Sequence, residues 1–319
     1  MWRLTRPPVV WEDGVKFEHV LVTGGAGRLG RSLVTELTGR CQVHVLDRRT
    51  QPSSRIDFPV DVLDLEALGH AMPGHDAVIH LAAIDSSVSA PPHVVFDANV
   101  RGTWNVLHAA EQAGVRRVLV CSSVAATGID YTNPQLPPLY LPIDEDHPLR
   151  PTQAYGLSKQ LDELMAQSFG RRGRMEVVSL RPSWIMFPEA VRRVLAQPSA
   201  TTSLDALPTA PGHHHEPLPL LRSYVAPGDA ARAFRLALEL PGPAQGVFII
   251  TAADTFEPTP TLSHLERIYE SQIRVVKPEV YAKNPHASAF DTARAREILG
   301  WTPSSSWAEF SAGAFLKRD

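Results

Sequence analysis

The chain has 319 residues, with 31 lysines and arginines against 34 aspartates and glutamates and a formal net charge of −3. That balance excludes a protein built chiefly to hold nucleic acid or an anionic membrane surface, which would carry a basic excess. Hydrophobic residues make up 44% and charged residues 20%, enough for a full globular core, so a small-molecule partner is expected.

The length suits about two domains, or one domain with an elaborated C-terminal part. Cys41 and Cys121 sit in or beside apolar runs and read as buried thiols, not as a disulfide framework. No apolar stretch has membrane length, and the N-terminus lacks the apolar region of a signal peptide. A cytoplasmic protein with no membrane partner is therefore expected.

Residues 1–16 form an N-terminal extension with no period. Strands are predicted at His19–Thr23, Gln42–Leu46, Ala77–Leu81, Arg117–Cys121 and Glu176–Leu180, each a short apolar run rich in β-branched residues. Helices are predicted at Leu29–Thr38, Leu65–Ala71, Val94–Ala113 and Gln153–Phe169. Strands alternating with helices predict an α/β fold, a Rossmann-type doubly wound parallel sheet. A soft boundary falls near residue 182, and 182–319 is expected to be a smaller, mainly substrate-binding region with some segments returning to the sheet. Residues 196–219 carry five prolines and read as a long loop. Its His213–His215 run points side chains in alternating directions, so no metal site is expected. Periodic signals resume at Ala230–Leu240, Val247–Thr251 and Ala293–Leu299.

The first strand leads into Gly24-Gly25-Ala26-Gly27-Arg28-Leu29-Gly30 and then a helix. Gly24 permits a tight turn, Gly27 lets backbone approach a diphosphate, and Gly30 allows close helix–strand packing. Free N–H groups at the helix start then face phosphate, with Arg28 and Leu29 beside it. Asp47 ends the second strand 20 residues after Gly27. A carboxylate there accepts from ribose hydroxyls and repels a 2′-phosphate, so NAD is expected over NADP, although Arg48 and Arg49 could accommodate that phosphate.

Tyr155 and Lys159 stand at i and i+4 on one helix face. A free phenol has a pKa of about 10, and a neighbouring ammonium and an oxidised nicotinamide favour its anion, bringing it toward useful acid–base range. The polar pair Ser122-Ser123 ends the preceding strand.

The glycine spacing G-x-x-G-x-x-G, the Tyr-x-x-x-Lys element and the Val120–Gly128 run together resemble the extended short-chain dehydrogenase/reductase (NAD-dependent epimerase/dehydratase) family. The resemblance implies that Ser123, Tyr155 and Lys159 are catalytic. Tyr155 would take the proton from a substrate hydroxyl while hydride leaves for the nicotinamide. Ser123 would orient the substrate oxygen, and Lys159 would contact the nicotinamide ribose. It also implies that Asp61-Val62 flank the adenine and that Leu81-Ala82-Ala83 run along the cofactor. Asn99, Ser122, Pro182 and Ser183 join the cofactor side. Ser86, Trp184 and Arg222 join Ser123 on the substrate side. His80 reads as a hydrogen-bonded strand-end histidine. Arg222-Ser223-Tyr224-Val225 and the Asp291–Trp301 segment resemble the family's later elements, so the likeness runs from about His19 onward.

Val124 and Ala125 after Ser123 cannot act as acid or base, which argues against a sugar dehydratase. The 284–291 stretch lacks the arginine with which many relatives grip a nucleotide diphosphate. The C-terminal text resembles the uronate-dehydrogenase-like branch. The expected function is an NAD-dependent oxidoreductase acting on a sugar-like secondary alcohol. An epimerase using the same residues is the alternative, and a non-catalytic NAD sensor is third. A homodimer is expected through the two long helices, with Val106, Leu107, Leu161 and Leu164 at helical spacing.

Overall fold

Strands β1 (His19–Thr23), β2 (Gln42–Leu46), β3 (Ala77–His80), β4 (Arg117–Cys121) and β5 (Glu176–Pro182) all form. Short β6 (Trp184–Ile185) and β7 (Tyr224–Val225) pair with each other, and β8 (Gly246–Ile250) follows. The computed structural model describes residues 17–48, 56–85, 90–129, 136–195, 221–242, 244–270 and 272–316. The 1–16 extension, Arg49, Ser86 and the 196–219 loop with its three histidines lie outside the described residues.

Among the described residues the main sheet has six parallel strands in the order β2-β1-β3-β4-β5-β8. Beyond β2 a parallel bridge joins Leu46 to Phe58. The chain runs outward from β1 to β2 and then crosses to β3 on the other side. The carboxyl ends of β1 and β3 thus flank a switch point, where α/β sheets bind ligands.

The helices among the described residues are α1 (Arg28–Leu37), α2 (Leu65–Ala71), α3 (Pro92–Phe96), α4 (Gly102–Ala113), α5 (Ala154–Arg171), α6 (Pro188–Leu195), α7 (Pro227–Glu239), α8 (Thr261–Tyr269), α9 (Pro278–Lys283), α10 (Ala293–Leu299) and α11 (Trp307–Leu316); α1, α7 and α10 cover one face of the sheet and α2, α4 and α5 the other. Successive strand residues point to opposite faces. Val20 and Val22 pack in one core with Leu33 and Leu37 of α1 and Phe234 of α7. Leu21 packs in the other with Val106 and Leu107 of α4 and Phe169 of α5. α7, β8 and α10 lie far along the chain yet complete the first core and the sheet. A third cluster joins Ile129, Leu141 and Ile143 to Leu221, Leu265 and Phe290.

The structure corrects the expectation of one helix over Val94–Ala113. α3 ends at Phe96, a π-turn spans Asp97–Arg101, and α4 begins at Gly102. The wider turn is where Asn99 sits with its side chain fully buried. Gly102 then lies close to Val62, where an added Cβ would stand 2.8 Å from Cγ2. Such π-turns are often found at functional sites.

Candidate active site

A cavity of about 650 Å³ opens at the carboxyl ends of β1 to β5. Gly24, Gly27, Arg28, Leu29 and Gly30 line it from the β1–α1 loop. Gly24 has φ +71, and a Cβ there would stand 2.7 Å from the Ala82 nitrogen. A Cβ on Gly30 would stand 2.5 Å from the Gly24 and Gly25 carbonyl oxygens. Any larger residue would push the helix off the strand, so this cradle holds its shape only with glycine. Gly27 caps α1 with extended backbone and no side chain in the way.

Asp47 and Arg48 line the cavity at the end of β2, with Asp61 and Val62 beyond them. The Ala26 N–H donates to Asp47 Oδ2 at 3.2 Å, which fixes the carboxylate beside the glycine loop. The exposed Arg48 guanidinium lies 3.6 Å from Asp61 Oδ2. Leu81, Ala82 and Ala83 follow β3 along the wall. These residues fit the adenosine and diphosphate half of NAD: amides at a helix start, small side chains and one carboxylate.

The other half of the cavity carries the polar chemistry. Ser123, Tyr155 and Lys159 all line it. Ser123 ends the β4 segment, accepts from the Ala125 N–H at 3.1 Å, and hydrogen-bonds the Tyr155 phenol. Gly128, at φ +77, ends the 3₁₀ turn that follows Ser123. Lys159 Nζ lies 5.8 Å from the Tyr155 ring centre and donates to the Cys121 carbonyl at 2.9 Å. Burial pushes the Tyr155 phenol up to about 12, and the Lys159 charge and the Ser123 hydrogen bond oppose it. The expected downward pull of the ammonium is therefore present, but in the protein alone desolvation outweighs it.

Pro182, Ser183 and Trp184 also line the cavity, at the end of β5. Ser183 Oγ donates to Thr251 Oγ1 at 3.0 Å. Two expected cofactor residues have structural partners. Ser122 reaches the wall, but its hydroxyl donates to Glu163 at 2.5 Å. Asn99 is not on the wall: its amide bridges the Ile84 N–H and C=O at 2.8 and 3.0 Å and donates to Ser158 at 3.0 Å. It thereby pins the chain after β3 to α5. His80 is likewise taken up, by Thr23 at 2.7 Å and Thr103 at 3.0 Å.

Arg222 is also a correction. It is not among the cavity-lining residues. Its φ is +50, and its guanidinium lies 3.2 Å from Glu257 and over the Phe256 ring. The neighbouring Ser223 takes the wall instead, with Ile129, Leu221 and Phe290. Sequence reading missed these four. Ser223 lay within the quoted Arg222–Val225 element, but charge drew attention to its neighbour. The other three signal only as core residues.

The sequence model of the NAD dependent epimerase/dehydratase family matches residues 20–250. The chain is 29% identical over 244 residues to L-arabinose 1-dehydrogenase (NAD(P)(+)) of Haloferax volcanii, covering 74% of this chain and 89% of that protein. It is 28% identical over 308 residues to UDP-glucose 4-epimerase of Streptomyces lividans, covering 89% and 91%. Its fold is similar to a short-chain dehydrogenase/reductase superfamily protein of Agrobacterium tumefaciens with bound NAD. That similarity has a TM-score of 0.68 and 25% identity, over 94% of this chain and 97% of that one.

Proposed function

The chain belongs to the NAD dependent epimerase/dehydratase family, and on that premise we propose that it is an oxidoreductase that moves hydride between a sugar-like secondary alcohol and NAD. The observation that carries this reading is that Ser123, Tyr155 and Lys159 open onto the same cavity as the glycine loop. A dinucleotide-binding protein without turnover has no need of that proton-handling set.

NAD, when bound, supplies the hydride acceptor. Gly24, Gly27 and Gly30 keep the loop close to the helix start, whose N–H groups bind the diphosphate. Asp47 accepts from the adenosine ribose hydroxyls. Ser123 holds the substrate hydroxyl against the Tyr155 oxygen, which takes its proton. Lys159 keeps a positive charge beside that phenol and favours its anion. Residues 17–181 supply the cofactor side and 182–319 mainly the substrate side.

An epimerase using the same residues is the second reading, favoured by the match along nearly the full length of the Streptomyces lividans UDP-glucose 4-epimerase. Against it, the 284–291 stretch holds no arginine and Arg222 is paired with Glu257. The substrate wall carries apolar Val124, Ile129, Trp184, Leu221 and Phe290. Incubation with NAD and a panel of aldoses and uronic acids tests the choice. Net growth of the reduced-nicotinamide absorbance supports the dehydrogenase. Interconversion of a sugar without that growth supports the epimerase.

A homodimer through the outer faces of α4 and α5 is part of this reading. Trp104, Leu157 and Leu164 are exposed there, 43%, 39% and 50% respectively. Val106 and Leu107 are fully buried in the core and contribute nothing to such a contact. A monomer mass by light scattering at micromolar concentration would refute it. No helix among the described residues is long and apolar enough to cross a membrane. A cytoplasmic location is supported by two free thiols, Cys41 and Cys121.

A further inference from the structure

Asp162 is one turn along α5 from Lys159 and has no exposed surface. Its Oδ2 accepts from Lys159 Nζ at 3.1 Å. Lys159 is itself only 4% exposed, so this is a buried ion pair at the wall of the cavity. A buried charge left alone is strongly disfavoured, and a pair survives because each member compensates the other. Lys159's other acceptor, the Cys121 carbonyl, is neutral.

Thr103 lies beside Asp162 and favours its charged form, and the Thr103 hydroxyl meets His80 Nε2 at 3.0 Å. His80 Nδ1 meets Thr23 at 2.7 Å. A line of buried polar groups thus runs from Tyr155 through Lys159, Asp162 and Thr103 to His80 and Thr23. Such networks have strong internal electrostatics because water does not screen them.

We propose that Asp162 is a positioning residue for the proton-transfer pair: its carboxylate keeps the Lys159 ammonium charged and fixes it beside Tyr155. The proposal rests on the reading of Tyr155 as the acid–base group. Burial is the largest single influence and lowers Lys159, but Asp162, Tyr155 and Cys121 together outweigh it, Asp162 foremost, and hold the ammonium above the usual lysine range. The other ionisable groups facing the pair are weaker or neutral partners. Cys121 on β4 is a thiol pushed up to about 11 by burial. His80 on β3 is lowered to about 3 by burial and by Lys159, and so is neutral. Glu163 on α5 is engaged with Arg181 and opposes the Asp162 charge. Asp85, after β3, acts on Tyr155 in the unhelpful direction.

Without the carboxylate, desolvation acts on Lys159 unopposed. Lysine would then give up its proton before tyrosine, because burial lowers the one and raises the other. The phenol would face a neutral amine and ionise less readily.

The test uses the full chain loaded with NAD and labelled at the lysine ε-carbons. There are five lysines, Lys16, Lys159, Lys277, Lys283 and Lys317. Lys159→Met assigns the resonance of interest. In the wild type Lys159 is expected to titrate above the usual lysine range; a transition within or below that range overturns the proposal, whatever the variants do. In Asp162→Asn the Lys159 transition is expected about one pH unit or more lower, a tenfold or greater change in its proton affinity. Asp162→Glu should restore most of it. The tyrosinate absorbance, taken as the difference from Tyr155→Phe, should move to higher pH in Asp162→Asn. Unchanged Lys159 and Tyr155 transitions in a folded Asp162→Asn protein sink the proposal. If both move as expected while Tyr155→Phe keeps full turnover, the ion pair stands and the acid–base reading fails instead.

Discussion

Glu163 on α5 and Arg181 on β5 face each other in a buried fork, Oε1 to Nε and Oε2 to Nη2, each at 2.7 Å. The same carboxylate takes the Ser122 hydroxyl at the end of β4. One side chain therefore ties together the helix that carries Tyr155 and Lys159, the strand end that carries Ser122, and the strand that leads to Pro182 and Ser183. Glu163→Ala would leave Arg181 buried and uncompensated. A loss of about 3–5 kcal/mol is expected, the usual cost of breaking a buried pair from one side. Urea unfolding of the variant checks it, and a loss near zero would mean the fork contributes nothing.

Cofactor choice follows from the Asp47 side chain, held beside the glycine loop by the Ala26 N–H. Arg48 leans toward Asp61, which offsets the one described cation next to Asp47. NAD is expected to bind at least about tenfold more tightly than NADP, or about 1.4 kcal/mol. Asp47→Asn should narrow that gap by removing the charge that repels a 2′-phosphate. Calorimetric titration of both nucleotides decides, and equal affinity in the wild type would show that Arg48 governs the site.

The parallel sheet was legible because its strands are short apolar runs separated by helical periods. The glycine loop was legible because spacing and chain context agree. Other features do not show in a pattern. The π-turn at Asp97–Arg101 reads as continuous helix, since its residues are as helix-compatible as their neighbours. Asp162 reads as one more polar residue on an amphipathic helix, because only the packing of α5 against α4 and the sheet buries it. Arg222 was drawn to the substrate by its charge. Its backbone conformation and Glu257, distant in sequence, turn it elsewhere.

His80 gives stability a pH dependence. Burial first, then Lys159, lowers it from 6.5 to about 3, so it is neutral in the fold while the unfolded chain takes up a proton below about 6.5. A depressed folded value means that the contribution is complete above pH 6.5 and is lost as the pH falls toward 3. The slope is about 1.4 kcal/mol per pH unit for one such group. The stability gap between wild type and His80→Gln should therefore shrink by about that amount per unit below pH 6.5. Urea unfolding at a series of pH values measures it, and a constant gap would refute the assignment.

Turnover should depend most on the phenol of Tyr155. Tyr155→Phe removes one oxygen from the cavity wall and leaves the ring to pack, so the fold and NAD binding are expected to survive. The chemical step should slow by about two to four orders of magnitude, the usual worth of a placed proton-transfer group. Lys159→Met should do similar harm and also weaken NAD binding, because the ammonium serves the phenol and the nicotinamide ribose. Ser123→Ala should cost less, since Tyr155 itself still orients the substrate oxygen. The pH profile carries its own sign. Burial holds the phenol up at about 12 in the protein alone, and alcohol oxidation needs it without its proton. The oxidation rate should therefore rise with pH through the neutral and alkaline range, while bound oxidised cofactor moves the rise to lower pH by its positive ring. Steady-state rates with an oxidisable sugar from the panel, across pH and for each variant, test all of this. A Tyr155→Phe enzyme that turns over at nearly the wild-type rate, with a flat profile in both, would leave a dinucleotide-binding fold whose chemistry runs through some other group.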